Sequence, residues 1–219
     1  MPARLTFHEE LRELGDSLLS MADIVGAAVE TAVSSLVSGD RDRAQDLVDG
    51  DDRVNTLQAQ ITRDTLRLLA TQQPMATDLR EILAVFSIAA DLERMADHAK
   101  GICKITLRLD GRPTGPSGDH LSEMGSLVRE LLAKAFHAFS ARDEMAAQTV
   151  ARRDDEVDAM YEVIYDEIVA SMVADRGGVK SADRLLWAAK SLERCGDHIT
   201  NICEWIVFLS TGKVVELNP

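Results

Sequence analysis

An internal repeat constrains the fold of this chain more than any other feature of its sequence. When the 219-residue chain is shifted by 100 positions, segment 91–104 falls on segment 191–204, and seven of the fourteen aligned residues are identical. Four of the identical residues are charged or imidazole side chains, and helix packing alone does not require identical polar residues. The repeat therefore predicts two halves with the same chain path and a shared polar feature.

Apolar residues recur at intervals of three and four through most of the chain, which is the spacing of amphipathic helices. No segment alternates apolar and polar residues for long enough to form a strand. The sequence predicts an all-α fold made of two tandem, pseudo-symmetric three-helix bundles with six long antiparallel helices. The predicted helices cover residues 5–37, 41–72, 75–109, 119–140, 143–174 and 181–211.

The best candidate for a linker lies in the middle of the chain. Segment 110–118 contains three glycines and two prolines, a composition that favours turns over helix. We therefore expect a first bundle over residues 1–110, a linker over 111–118 and a second bundle over 119–219.

The composition narrows the functional classes. The chain has 37 acidic and 24 basic residues and a net charge of −13, so we expect no general basic surface and no nucleic-acid partner. No run of roughly 18 uncharged apolar residues is present, and the first ten residues lack the apolar segment of a signal peptide. Three cysteines, an odd number, favour reduced thiols and a cytoplasmic location.

Pairs of acidic residues spaced four apart recur at matching positions in the two halves. The last helix of each half carries one pair, Glu93 with Asp97 and Glu193 with Asp197. Residues at this spacing lie on one face of a helix, where two carboxylates repel each other. Each pair also borders the apolar stripe, so an acidic pair on the neighbouring helix would face it.

The middle helix of each half carries such a pair. Asp51 and Asn55 occupy these positions in the first half, and Asp154 and Asp158 occupy them in the second. Four converging oxygen ligands would bind a divalent cation such as iron, zinc, manganese or magnesium. Asn55 removes one charge, which predicts weaker binding in the first half. The alternative is that the acids form surface ion pairs with arginines and lysines, and spacing alone favours neither interpretation.

Two histidines and two arginines accompany the acidic pairs. His98 and His198 each follow an aspartate directly, so they point roughly 100° away around the helix. We expect them to form hydrogen bonds or to lie at an interface, because their spacing is not that of a di-iron carboxylate ligand set. Arg94 and Arg194 could orient carboxylates, and salt bridges are the favoured interpretation.

The polar motifs and their order resemble the PhoU family of phosphate-specific transport accessory and regulatory proteins. The resemblance covers nearly the whole chain in both halves. It is carried by Gln73-Pro74, by Asp78-Leu79-Arg80, by the Leu-Glu-Arg and Asp-His motifs of segments 91–98 and 191–198, and by Asn201-Ile202.

This resemblance implies two three-helix bundles and an acidic metal-binding motif, which maps onto Glu93/Asp97 and Glu193/Asp197. It also implies a non-enzymatic negative regulator of the phosphate-starvation response. Such proteins are thought to couple the ATP-driven phosphate transporter, through its ATPase subunit, to a sensor histidine kinase. The implied location is cytoplasmic, and peripheral at the membrane through partners. Apolar positions exposed on long helices make a homodimer an expectation.

Two other functions remain open at this point. A di-metal carboxylate protein with an enzymatic or metal-storage role would share the helical bundle and the acidic pairs. Such a protein requires Glu-x-x-His ligand spacing, which the histidines of the acidic motifs do not have. A purely structural helical dimer would show no metal dependence and no partner.

Overall fold

The computed structural model describes residues 2–50, 52–113, 115–175 and 177–217, with only the backbone for residues 2–5. Within these ranges the chain forms eight α-helices and no β-strand, so the predicted all-α fold is confirmed. The helices are α1 (Pro2–Ser38), α2 (Arg41–Asp49), α3 (Asp52–Gln72), α4 (Thr77–Thr106), α5 (Pro116–Ala141), α6 (Glu144–Ala151), α7 (Asp154–Ala174) and α8 (Val179–Thr211).

Each half is a bundle of three long helices with one short helix inserted before the middle one. Helices α1, α3 and α4 pack together in the first half, and α5, α7 and α8 pack together in the second. The short helices α2 and α6 precede α3 and α7. The chain path thus repeats once, as the sequence repeat predicts.

The prediction of one continuous middle helix in each half is wrong. The first is interrupted between Asp49 and Asp52, and the second between Ala151 and Asp154. In the first half the apolar stripe that predicted the helix begins only at Val54, and α2 buries a single residue, Ala44. The segment before the break therefore carried too weak a periodic signal to show where one helix ended and the next began.

The short helices start in the same way in both halves. Asp40 accepts a hydrogen bond from the Arg43 backbone N–H at 3.0 Å, and Asp143 accepts one from Ala146 at 3.0 Å. An aspartate at this position satisfies a donor that the first helical turn leaves unpaired. The preceding residue has positive φ in both halves, 74° at Gly39 and 51° at Arg142. Glycine adopts this conformation without strain, whereas arginine does not.

Helix α5 begins at Pro116, three residues earlier than predicted. Proline is well tolerated in the first turn of a helix, because its missing N–H would have no helical partner there. The proline that suggested a linker therefore marks the start of a helix.

The halves meet along two helix pairs, α4 with α8 and α1 with α5. In the second pair a Cβ on Gly125 would lie 2.6 Å from Cγ2 of Val33, so the glycine permits the close approach of α5 to α1. Fully buried side chains such as Leu18, Leu92 and Met124 come from both halves and form one continuous core.

By length and composition, one helical span in the described residues, Thr6–Ser38 of α1, is apolar enough to cross a membrane. Its most apolar stretch has a mean hydropathy of 1.3, and half of that stretch is buried inside the fold. Leu18, Met21 and Val25 are fully buried there. The apolar character of α1 is accounted for by its packing in the bundle, as is usual for a core helix.

Candidate functional site

The structure brings three of the predicted acidic residues of the second half together. Asp158 on α7 faces Glu193 and Asp197 on α8. Partial burial raises the pKa of Asp158, and the neighbouring charges of Glu193 and Asp197 raise it further. Like charges in proximity disfavour ionisation, so the three carboxylates repel one another, and the charge of Lys190 partly opposes this effect.

Two basic side chains already contact this cluster. Lys190 Nζ donates a hydrogen bond to Glu193 Oε1 at 2.5 Å and lies 5.2 Å from the centre of the Tyr161 ring. Arg194 Nη1 donates to Asp197 Oδ2 at 3.0 Å. The second oxygen of Glu193, Oε2, is buried and has no hydrogen-bond partner among the residues that the structure describes. Two of the carboxylates therefore form the ion pairs of the alternative interpretation.

Asp154, the fourth predicted member, takes a different position. Its side chain is buried, with Oδ2 accepting a hydrogen bond from Thr200 Oγ1 at 3.2 Å. Its Oδ1 lies so close to α8 that a Cβ added to Gly196 would be 2.4 Å away. Asp154 is thus held against the α8 backbone, one turn from the position of Asp158. In the first half Ala96 stands where Gly196 stands in the second, so a Cβ occupies that space.

The first half presents a looser arrangement. Glu93 is partly buried and lies 3.8 Å from Nε of Arg94, while Asp97 and Asn55 are exposed. Asp51 lies outside the described residues. Across the described ranges, no group of three or more histidine, cysteine, aspartate or glutamate side chains is gathered in the geometry of a metal site. The second half has the donor chemistry for a hard divalent cation, with Lys190 and Arg194 at present in contact with two of its carboxylates.

The two histidines lie at the contact between the halves rather than at the acidic pairs. The rings of His98 and His198 are 5.8 Å apart, centre to centre, between α4 and α8. His198 Nδ1 is 2.9 Å from Asp91 Oδ1, and Asn201 Nδ2 donates to the same oxygen at 3.3 Å. Burial lowers the pKa of His98, and the positive charges of His198 and Arg194 lower it further, whereas Asp97 opposes the shift.

Sequence reasoning missed Asp91, Asn201, Gly196 and Thr200. Asp91 and Asn201 occupy positions where the repeat is not identical, Ser191 and Gly101 being their counterparts. Gly196 differs from Ala96 in the same way. The available signal was this pattern of differences, since a residue that serves only one half has no reason to recur in the other.

The PhoU domain model matches residues 18–106 and 121–206, that is, both halves of the chain. The chain belongs to the PhoU family.

Relatives match nearly the whole of this PhoU-family chain. A phosphate-specific transport system accessory protein PhoU homolog of Streptococcus pneumoniae is 35% identical over 98% of this chain and 100% of its own. The homolog of the same name from Caulobacter vibrioides is 38% identical over 95% of this chain and 91% of its own.

Solved structures agree with the fold. The crystal structure of PhoU from Pseudomonas aeruginosa superposes with a TM-score of 0.89 at 33% identity and covers 94% of this chain and 100% of that one. The phosphate transport system regulatory protein PhoU from Streptococcus pneumoniae superposes with a TM-score of 0.88 at 33% identity and covers 95% of this chain and 99% of that one.

Proposed function

We propose that this PhoU-family protein regulates phosphate transport as a negative regulator of the phosphate-starvation response. In this role it couples the phosphate transporter, through the ATPase subunit, to a sensor histidine kinase, and it modulates phosphate uptake. The observation that carries the proposal is the match over nearly the full length of both chains to proteins named phosphate-specific transport system accessory proteins. An accessory role also argues for regulation by contact rather than by catalysis.

The form of the molecule suits an adaptor. Long antiparallel helices joined through one core give a rigid body, and its two halves repeat the same backbone with different surface residues. Two partners can therefore be recognised by equivalent faces that differ in chemistry. We place the protein in the cytoplasm, at the membrane only through its partners, and we expect it to function as a homodimer.

A metal site is the second part of the proposal. In the second half Glu193, Asp197 and Asp158 would hold a divalent cation, with Asp154 at the edge of the site. The buried Oε2 of Glu193 and the raised pKa of Asp158 support this, because a cation would give the first a partner and relieve the repulsion at the second. The first half, with Glu93, Asp97 and Asp51, would bind more weakly, since Asn55 stands in place of an acid.

The regulatory proposal is tested by complementation in a bacterium that lacks its own PhoU-family protein and carries a reporter under a phosphate-starvation promoter. The chain is expected to silence the reporter in phosphate-rich medium and to leave it active in phosphate-poor medium. The E193A/D197A double variant is expected to fail in silencing while keeping the far-UV circular dichroism of a helical protein. Full silencing by the double variant would separate regulation from the acidic cluster, and no silencing by the wild type would contradict the proposal itself.

A further inference from the structure

A groove opens between α4 and α8 at the end of the molecule where α8 finishes. Its volume is about 400 Å³, and its walls are formed by Phe86 of α4 and by Trp205 and Phe208 of α8. Trp205 and Phe208 pack edge to face with their ring centres 5.6 Å apart. Phe86 is 41% exposed, which is unusual for a phenylalanine in a folded chain. The groove is therefore an open aromatic surface that the fold leaves uncovered.

The chain after α8 forms one border of this groove. Gly212, with a φ of 74°, ends the helix and lets the chain turn back. The Leu217 N–H then donates a hydrogen bond to Glu204 Oε1 at 2.9 Å, which holds segment 213–217 against α8. Val215 and Leu217 pack on the core, and Val214, which lines the groove, is exposed. The border thus adds apolar side chains without closing the groove.

The charged residues that line the groove are both acidic. Asp91 and Glu204 contribute carboxylates, and no lysine or arginine is among the lining residues. The nearest elements contribute His198, which contacts Asp91, and the exposed Lys213 at the start of the border. An aromatic surface flanked by carboxylates attracts a cationic side chain through two interactions. These are ion pairs with the carboxylates and cation–π contacts with the faces of the rings.

The other half of the molecule shows that the fold does not require this chemistry. The shift of 100 positions places Lys104 opposite Glu204, Arg108 opposite Phe208 and Lys190 opposite Ala90. There α8 contacts the chain just beyond the end of α4, because Arg184 Nη1 donates to the Arg108 carbonyl at 2.6 Å. The counterpart carries basic side chains where the groove has Glu204, Phe208 and Ala90, and its exposed aromatic residue is Trp187, which falls opposite Ser87. The two places therefore differ in charge, and the acidic lining of the groove is not a requirement of the fold.

We infer that the groove between α4 and α8 docks a cationic amphipathic helix of a protein partner. The apolar side chains of that helix would lie on Phe86, Trp205 and Phe208, and its arginines or lysines would pair with Asp91 and Glu204. A helix laid between two helices is a common mode of peptide recognition, and three rings of this size are typical anchors. The inference rests on the proposed adaptor function, because it assigns a surface to one of the protein's contacts.

The test uses the full chain with Trp187→Phe, which leaves Trp205 as the only tryptophan, so that its fluorescence reports on the groove. The probe is a synthetic amphipathic peptide of about 15 residues with leucine on one face and arginine on the other. Its twin has glutamate in place of every arginine. We expect the arginine peptide to shift the Trp205 emission and to bind at least about tenfold more tightly than the twin.

Two matched pairs of variants separate the groove from general attraction to an acidic protein. Phe86→Ser is expected to weaken binding of the arginine peptide about tenfold. Leu66→Ser, at an exposed leucine of α3, is expected to leave the affinity within about twofold. Glu204→Gln, which keeps an acceptor for the Leu217 N–H, is expected to weaken binding of the arginine peptide about threefold. Glu162→Gln on α7 changes the net charge by the same amount and is expected to leave the affinity unchanged. Far-UV circular dichroism confirms that each variant folds.

Equal affinities of the two peptides would overturn the inference, as would equal losses within either pair of variants. The experiments distinguish an error in the inference about the groove from an error in the proposed adaptor function. A chain that silences the starvation reporter but does not bind the arginine peptide overturns the groove alone. A chain that binds the peptide but does not silence the reporter overturns the adaptor function and leaves the groove as a peptide-binding surface.

Discussion

The two halves of this molecule have the same chain path but different polar chemistry. In the second half Asp154 is buried against Gly196, and Asp158 faces Glu193 and Asp197. In the first half Asn55 and Asp97 are exposed, and an alanine replaces the glycine. The repeat keeps Glu93/Glu193 and Asp97/Asp197 identical, but the residues that pack around these acids differ between the halves. The difference teaches that symmetry of the fold does not guarantee symmetry of the sites.

The largest expected effect comes from metal. With a divalent cation at about 100 times its dissociation constant, we expect the chain to be stabilised by about 2.7 kcal/mol, and a chelator should remove this gain. Thermal melts with and without the chelator measure it. The E193Q/D197N double variant should lose most of the stabilisation by the cation, and the E93Q/D97N double variant should lose little of it. Equal losses from the two double variants would show that the halves do not differ as metal sites.

The next largest effect is expected at Gly196, where Asp154 closely approaches the backbone of α8. Gly196→Ala places a Cβ only 2.4 Å from Oδ1 of Asp154, so the buried carboxylate, whose Oδ2 accepts a hydrogen bond from Thr200, must shift. We expect a loss of about 2 kcal/mol in the free energy of unfolding, even though alanine favours helix. Chemical denaturation gives the value. The matched change Ala96→Gly should cost only about 1 kcal/mol, the difference in helix propensity. A stabilised Gly196→Ala variant would contradict the packing described here.

A third comparison exchanges residues at the contact between the halves. Asp91→Ser gives the first half the residue of the second and removes the acceptor of both His198 and Asn201. We expect a loss of about 1 kcal/mol, the usual net contribution of such hydrogen bonds. Ser191→Asp, the reverse exchange, should bring no gain, because the counterpart of Asn201 is Gly101. Denaturation curves of the two variants, recorded in parallel, decide between these outcomes.

The smallest effect concerns Asp158. Its pKa is raised in the folded chain, so its contribution to stability is present at low pH and is lost as pH rises through the raised value. In chelator at neutral pH, Asp158→Asn should therefore be more stable than the wild type by a few tenths of a kcal/mol, since solvent screens a partly exposed group. The advantage should disappear below the pKa of an ordinary aspartate. Asn55→Asp, the opposite change in the first half, should be neutral or slightly destabilising.

The fold was largely predictable from the sequence. Apolar spacing predicted the long helices, and the repeat predicted two similar halves. Both predictions depend only on the order of residues along the chain. The break before α3 was missed because the residues ahead of Val54 carry little apolar periodicity. The break before α7 was missed although α6 buries Ala147, Val150 and Ala151. The start of α5 at Pro116 was missed because proline in the first helical turn looks, in sequence, like proline in a linker.

The candidate site was predictable only in part. The spacing of Glu193 and Asp197 placed two acids on one helix face, and the match at Asp158 placed a third on the neighbouring helix. The sequence alone determined these local facts, because residues four apart share a face in any α-helix. Only the tertiary structure decided that Asp154 lies against Gly196, that His198 contacts Asp91, and that an aromatic groove remains open beside Phe86. Each of these depends on how two helices cross, and the crossing is set by the whole core rather than by any one segment.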